Sequence, residues 1–260
     1  MLTTFASLGN ITANLTRTLD ATAAKPQVAR ESAYYLAHIR DVKSIDDFMN
    51  DDRLFSFAMK AWGLGDMTYA KAFMRKVLTE GIDSQDSFAN SLADSRYRDF
   101  ANAFNFKTFG SATTAFDKTQ QGTVDQYIRQ TMEEDAGAQN EGVRLALYFQ
   151  RKATSIDSPL EVLADPALLK VVQTALRLPI TMSLLDIDKQ VDLISAKLDV
   201  TDFQDPDKLA KFLKRFASLY DVDNPQTTSV SPSILFSQPL ETGIGADLLA
   251  SLQNLKLGGS

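Results

Sequence analysis

The stretch Asp51–Leu64, DDRLFSFAMKAWGL, returns 114 positions later as Asp165–Leu178, DPALLKVVQTALRL, and this recurrence limits what the chain can fold into. In the first copy the apolar positions are Leu54, Phe55, Phe57, Ala58, Ala61 and Trp62; the second places Leu168, Leu169, Val171, Val172, Ala175 and Leu176 at the same offsets. Residues so spaced form one broad face of an α-helix that must be buried against something. Each copy opens on an acid, Asp51 or Asp165, whose side-chain oxygen can cap the unpaired N–H groups of a first turn. Pro166 follows the second acid, at a position where a helix tolerates proline.

Three further stretches match in the same order. A helix from Gln27 places Tyr35, Leu36, Ile39 and Val42 on one side; its counterpart starts at the N-cap Asn140 and carries Val143, Leu145, Ala146, Leu147, Tyr148 and Phe149 before Arg151 and Lys152. Ser44-Ile45-Asp46 recurs as Ser155-Ile156-Asp157, and Tyr97, Phe100, Ala101 and Phe104 recur as Leu209, Phe212, Leu213 and Phe216, 112 positions on. Such ordered matches point to an internal duplication of about 110 residues. The expected fold is therefore all-α, a multi-helical array of two tandem pseudo-repeats, 31–106 and 141–220, inside a helical domain spanning 26–221.

Between these landmarks the pattern is weaker. MTYAKAFMRKVL, from Met67, predicts a helix with Met67, Ala70, Met74 and Val77 inward, stopped by Gly81. Asn105–Thr123 loses periodicity and gathers Gly, Ser, Thr and Gln, so it is expected to be a surface connection with some extended structure. Helical pattern resumes over Val124–Met132. Gly63-Leu64-Gly65 and the Gly137 to Gly142 region are expected to be corners. Past Pro179, which stands where Gly65 stood, Leu184, Ile187, Val191, Ile194 and Leu198 keep helical spacing.

Both ends differ from the body. Residues 1–25 form a helical arm whose narrow stripe, Leu8, Ile11, Leu15 and Leu19, is too thin for a core helix. Residues 222–260, rich in Pro, Ser and Thr around Ile234, Leu235 and Phe236, are expected to form an extended tail, with a short terminal helix carrying Leu248, Leu249, Leu252 and Leu255. Isolated helices shorter than about 12–15 residues are marginal in water, so stripes of this kind order only against something else. Leu8, Ile11, Leu15, Ile234, Leu235, Phe236, Leu248, Leu249 and Leu252 are accordingly the candidate partner-binding residues.

Composition removes several classes of function. The net charge of −6 opposes binding to phosphate backbones, so no nucleic acid is expected as partner. With no Cys there is no disulfide, thiolate zinc site or cysteine nucleophile. No apolar run is long enough to span a bilayer, and the N-terminal stretch lacks the features of a cleaved signal peptide. The acidic clusters, including Glu133/Glu134/Asp135, lack the spacing of a calcium loop and are expected to cap helices. The single His38 reads as a helix-flank histidine, and Trp62, at the position equivalent to Leu176, as core. No phosphate loop occurs. No catalytic residue, metal ligand or cofactor is assigned.

PQVARESAYYLAHI at 26–39, DDRLFSFAMKAWGLGDMTYAKAFMRKVLTEG at 51–81 and EEDAGAQNEGVRLALYFQRKA at 133–153 resemble an alphaproteobacterial family of unknown biochemical function, commonly found with flagellar genes. The likeness spans about residues 26–220 and implies a context, the flagellum, without any catalytic residue to carry over. The expectation is thus a non-enzymatic structural or assembly protein of the flagellar system, cytoplasmic or in the flagellum, acting through other flagellar proteins or self-association. The alternative is a cytoplasmic helical enzyme or small-ligand-binding protein using the groove between the halves; a deep pocket with convergent polar groups would favour it.

Overall fold

The structure is a computed structural model that describes residues 2–225. Those residues are all-α: fifteen helices linked by short 3-10 turns, with no strand among them. The helices are α1 (Thr4–Ala13), α2 (Leu15–Ala23), α3 (Pro26–His38), α4 (Ile45–Asn50), α5 (Asp52–Ala61), α6 (Lys71–Glu80), α7 (Phe88–Ser91), α8 (Ser95–Ala103), α9 (Phe106–Phe109), α10 (Gln121–Gln139), α11 (Glu141–Lys152), α12 (Pro159–Ala164), α13 (Pro166–Leu176), α14 (Ile187–Ser195) and α15 (Pro206–Asp223).

Helix starts follow from short polar side chains. Asp51 accepts from the N–H groups of Arg53 and Leu54, and Asp165 from those of Ala167 and Leu168. Asp205 caps α15 in the same manner, Asp94 accepts from Arg96, and Asn140 accepts from Gly142. Each such cap satisfies a donor that the helix itself leaves orphaned, a contribution of about 1 kcal/mol.

Two hydrophobic cores result. The first draws on residues from Val28 to Tyr127 and is aromatic: Phe48 stacks on Phe104 at 4.8 Å, and Tyr35 stacks on Phe57 at 4.5 Å. The second draws on residues from Met132 to Tyr220, together with Leu8, and is mainly aliphatic around Phe149, Phe203 and Phe216. α5 sends Leu54, Phe55, Phe57, Ala58, Met59 and Ala61 into the first core; α13 sends Leu168, Val171, Val172, Gln173, Ala175 and Leu176 into the second. Burying each large apolar side chain supplies about 1.5–3 kcal/mol, which makes these two helices the centre of each core.

Several expectations are corrected. The N-terminal arm is two helices, broken at Asn14, and it is docked on the body. α1 packs on α15 and α11, and α2 on α10. Leu8 is buried in the second core, with Ile11, Leu15 and Leu19 half-buried against it. The Thr4 and Phe5 N–H groups donate to the Asp221 carboxylate at 2.7 and 3.1 Å. Leu8, Ile11 and Leu15 thus face the chain's own helices, because a stripe too narrow to hold a helix by itself is held by the nearest apolar groove. The tail residues Ile234, Leu235, Phe236, Leu248, Leu249 and Leu252 lie outside the described residues.

The segment 105–123 is not a loose connection. It holds α9 and two 3-10 turns, with Thr113, Thr114 and Thr119 buried. Polar groups enter the core here because each finds a partner: Thr114 Oγ1 donates to the Val42 carbonyl at 2.8 Å, and the Tyr35 hydroxyl donates to the Thr119 carbonyl at 2.7 Å. α10 is longer than its apolar pattern, running through Gly137. A methyl group on Gly137 would meet Arg144 Cδ at 2.6 Å, and one on Gly142, inside α11, would meet the Tyr220 ring at 2.5 Å. These two glycines allow helices to approach closely and turn no corner, whereas Gly63, with φ 73°, does. α6 starts at Lys71, later than Met67. Leu184 falls in a 3-10 turn ahead of α14, whose one fully buried residue is Ile194.

Candidate functional site

The junction of the two cores holds a partly open cavity of about 620 Å³. Five short stretches line it: the end of α5 with Trp62 and Gly63, the start of α8 with Arg96 and Asp99, one face of α10, the middle of α11, and the start of α13 at Asp165. Its wall is built around three sets of polar contacts.

Tyr148 donates its hydroxyl to Asp165 Oδ2 at 2.6 Å, while Asp165 Oδ1 caps α13. Burial, then the adjacent Asp165 charge, pushes the Tyr148 hydroxyl far above the ordinary tyrosine range. The hydroxyl therefore stays protonated and acts as a fixed donor. Tyr34 and Asp51 make the same contact in the first half at 3.0 Å.

Among the described residues, Glu133 is the most enclosed charge. Its side chain is 2% exposed and accepts from Arg129 Nε at 2.9 Å, from Arg151 Nε at 2.9 Å and from Arg151 Nη2 at 2.8 Å. Burial opposes the Arg151 charge, but the hydrogen bonds and charge of Glu133 outweigh it and raise the guanidinium's pKa further. Glu133 was expected to be one acid in a capping cluster; it sits inside α10 and caps nothing. The signal in the sequence was its four-residue spacing from Arg129, which puts both on one helix face.

Two ion pairs cross the junction. Lys152 Nζ meets Asp99 Oδ2 at 2.5 Å, joining α11 to α8, and Lys60 Nζ meets Glu134 Oε2 at 2.9 Å, joining α5 to α10. Arg96 binds Asp94 at 2.7 Å and also donates to the Gly63 carbonyl. Asp94, Asp99, Glu133 and Asp165 are thereby each held by a cation or a hydroxyl. Trp62, expected in the core, is half-buried at the C-cap of α5 and lines the cavity; its indole Nε1 is buried without a hydrogen-bond partner.

His38 lies on the flank of α3, stacked on Tyr34 at 4.1 Å with Nδ1 2.8 Å from the Tyr34 carbonyl. Among the described residues, no three His, Cys, Asp or Glu side chains are grouped to hold a metal ion, and no helix is long and apolar enough to cross a membrane. Among the described residues, the largest exposed apolar run falls where regular helical spacing was expected. Ile180, Leu184, Leu185 and Ile187 are 76%, 85%, 42% and 58% exposed.

The crystal structure of protein AGR_C_984 from Agrobacterium tumefaciens is 46% identical, superposes with a TM-score of 0.81, and the match covers 85% of this chain and 94% of that one. No protein of curated function matches. Residues 61–209, which include every residue lining the cavity but not Lys60, match a family described as protein of unknown function (DUF1217), and the chain belongs to that family.

Proposed function

We propose that the chain is a non-enzymatic protein of the flagellar system, a structural subunit or assembly factor that works through contacts with other proteins, in the cytoplasm or in the flagellum. The resemblance of the three sequence blocks to a family found with flagellar genes supplies the context. The observation that carries the contact role is the run Ile180, Leu184, Leu185 and Ile187, four large apolar side chains held in solvent within eight consecutive residues. Exposed apolar patches on a folded surface mark places where another surface docks. With it goes the reading of the body as an internal duplication, supported by the Tyr–Asp contact made in both halves and by one core in each.

The test is genetic. Deleting the gene is expected to impair swimming or filament assembly, and the protein is then sought in purified hook–basal bodies. Complementation with Leu184→Asp together with Ile187→Asp is expected to fail while the variant protein accumulates and melts normally. Normal swimming of the deletion strain would remove the flagellar context.

One observation favours a second reading. A cavity with Arg96, Arg151, Lys152, Tyr148 and Trp62 converging on it has the form of a small-ligand site. Trp62 is the chain's one tryptophan, so a ligand entering the cavity would change the intrinsic fluorescence directly. A saturable change on titration with a metabolite would support this reading.

A further inference from the structure

We infer that copies of this chain associate head to tail, through a contact that repeats between molecules the junction found inside each one. The inference names one partner for the contact protein proposed above and rests on that reading and on the equivalence of the two halves. In the second half, the face presenting Tyr148, Lys152 and Asp165 is covered by the first half: Asp99 holds Lys152, and Arg96 and Trp62 complete the wall. The equivalent face of the first half, 114 positions earlier, presents Tyr34, His38 and Asp51. It is a shallow, open groove lined by residues from Tyr34 to Leu54, and no element of the other core lines it among the described residues.

The charged part of the covering surface has its counterpart too, whereas Leu176, at the position of Trp62, is buried in the second core. At an offset of 112, Arg96 and Asp99 correspond to Lys208 and Lys211, which open α15 and are exposed. One copy therefore ends in an uncovered face, and its other half carries the matching cover, unused.

Charge says that the two fit. The groove carries exposed Asp41 and Asp47, together with Asp52, which is paired with Lys71, and is opposed by Arg53, which is occupied with Glu31. The α15 surface carries exposed Lys208, Lys211, Lys214 and Arg215, opposed by Asp207 and by Asp202, which pairs with Lys208. Within one molecule Lys152 on the face meets Asp99 on the cover; at the equivalent positions the groove has His38 and the cover Lys211, so the opposite charge between molecules is supplied by the neighbouring Asp41 and Asp47. Like signs facing each other would exclude the contact. Because the two surfaces differ, the contact is heterologous, and such contacts grow into rings or filaments.

Sedimentation of the full chain over a range of concentrations, at low and at high salt, tests this. The mass is expected to rise beyond a dimer with concentration at low salt and to fall back at high salt, since exposed charges are screened. Asp41→Lys alone and Lys211→Glu with Lys214→Glu alone are each expected to stay monomeric with unchanged melting, while an equal mixture of the two variants recovers assembly, because one contact is then unaltered and the two reversed surfaces are again of opposite sign. A wild-type chain that is monomeric throughout, or one whose assembly ignores both variants, overturns the inference. Because the readout is mass, a monomeric chain whose deletion still abolishes swimming sinks this inference and leaves the flagellar reading standing; salt-sensitive assembly with normal swimming does the reverse.

Discussion

The Tyr148 hydroxyl donates to the same Asp165 carboxylate whose other oxygen starts α13, so one side chain fixes both where a helix begins and how it meets α11. Tyr34 and Asp51, again 17 positions apart, do the same for α3 and α5. Losing a cap costs about 1 kcal/mol, and a hydrogen bond to a charged group contributes about 1.5–3 kcal/mol. Asp165→Ala is therefore expected to cost about 2–4 kcal/mol and Tyr148→Phe about 1–2 kcal/mol. In urea unfolding the double variant should lose less than the sum of the two, because both remove one shared contact. Tyr34→Phe, at a more open site, should cost less than Tyr148→Phe.

The pH dependence has two limbs. Asp205 is held below its ordinary carboxylate value of 3.8 by the backbone N–H groups of Lys208 and Asp207, and Asp47 is likewise depressed by the Lys43 N–H and the Ser44 hydroxyl. A depressed folded pKa means the unfolded state binds more protons, so these contributions are complete above about pH 4 and are lost as pH falls through the folded values. Tyr148 and Tyr35 are raised above 10.0, chiefly by burial. There the folded state holds the protons, so stability is complete below about pH 10 and declines as pH rises further. Melting temperatures across the range should show both declines, with the acid limb flatter in Asp205→Asn and the alkaline limb flatter in Tyr148→Phe.

Glu133 holds two arginines in a wall with almost no water access. Glu133→Gln preserves the shape and removes the charge, which leaves Arg129 and Arg151 facing each other. Breaking one side of a buried pair costs about 3–5 kcal/mol, whereas removing both partners costs much less. Glu133→Gln is thus expected to be more damaging than Glu133→Gln combined with Arg151→Met, a comparison that equilibrium denaturation can make.

What was legible in the sequence was whatever is decided within a turn or two of helix. Asp51, Asp165 and Asn140 were readable as caps because each bonds to an N–H two or three residues on. The apolar faces of α5 and α13 were readable because their spacing is periodic. Glu133 was misread because what buries it, Arg151, lies 18 residues away on another helix. Thr114 was placed on the surface because its composition is polar, and nothing local reveals that its hydroxyl meets the Val42 carbonyl 72 residues earlier. The cavity was anticipated only as a groove between halves; its wall joins stretches spread from Trp62 to Ala167.

The N-terminal arm separates two physical pictures, since a partner-binding arm can be removed without harm to the body and a docked one cannot. α1 and α2 hold only ten and nine residues, below the length at which a helix stands alone in water. What orders them is Leu8 in the second core, the Thr4 hydroxyl donating to Asn140 Oδ1 at 3.1 Å, and the Asp221 carboxylate receiving two backbone N–H groups at the start of α1. The same Asn140 starts α11, so the arm, α11 and α15 are tied at one point, next to Gly142, where Thr4 and the Tyr220 ring leave no room for a methyl group. Leu8→Ala removes a buried side chain at a site unable to collapse fully and is expected to cost about 2–4 kcal/mol. Gly142→Ala forces the Tyr220 ring and Thr4 aside and is expected to cost about 1–3 kcal/mol. Deleting residues 2–24 exposes the whole groove on α11 and α15, and the truncated chain should melt well below the full one, bind a hydrophobic dye and lose protection from hydrogen exchange in α11 and α15 before α3 and α5. A truncated chain that melts like the full one would show that the arm contributes nothing to the second core.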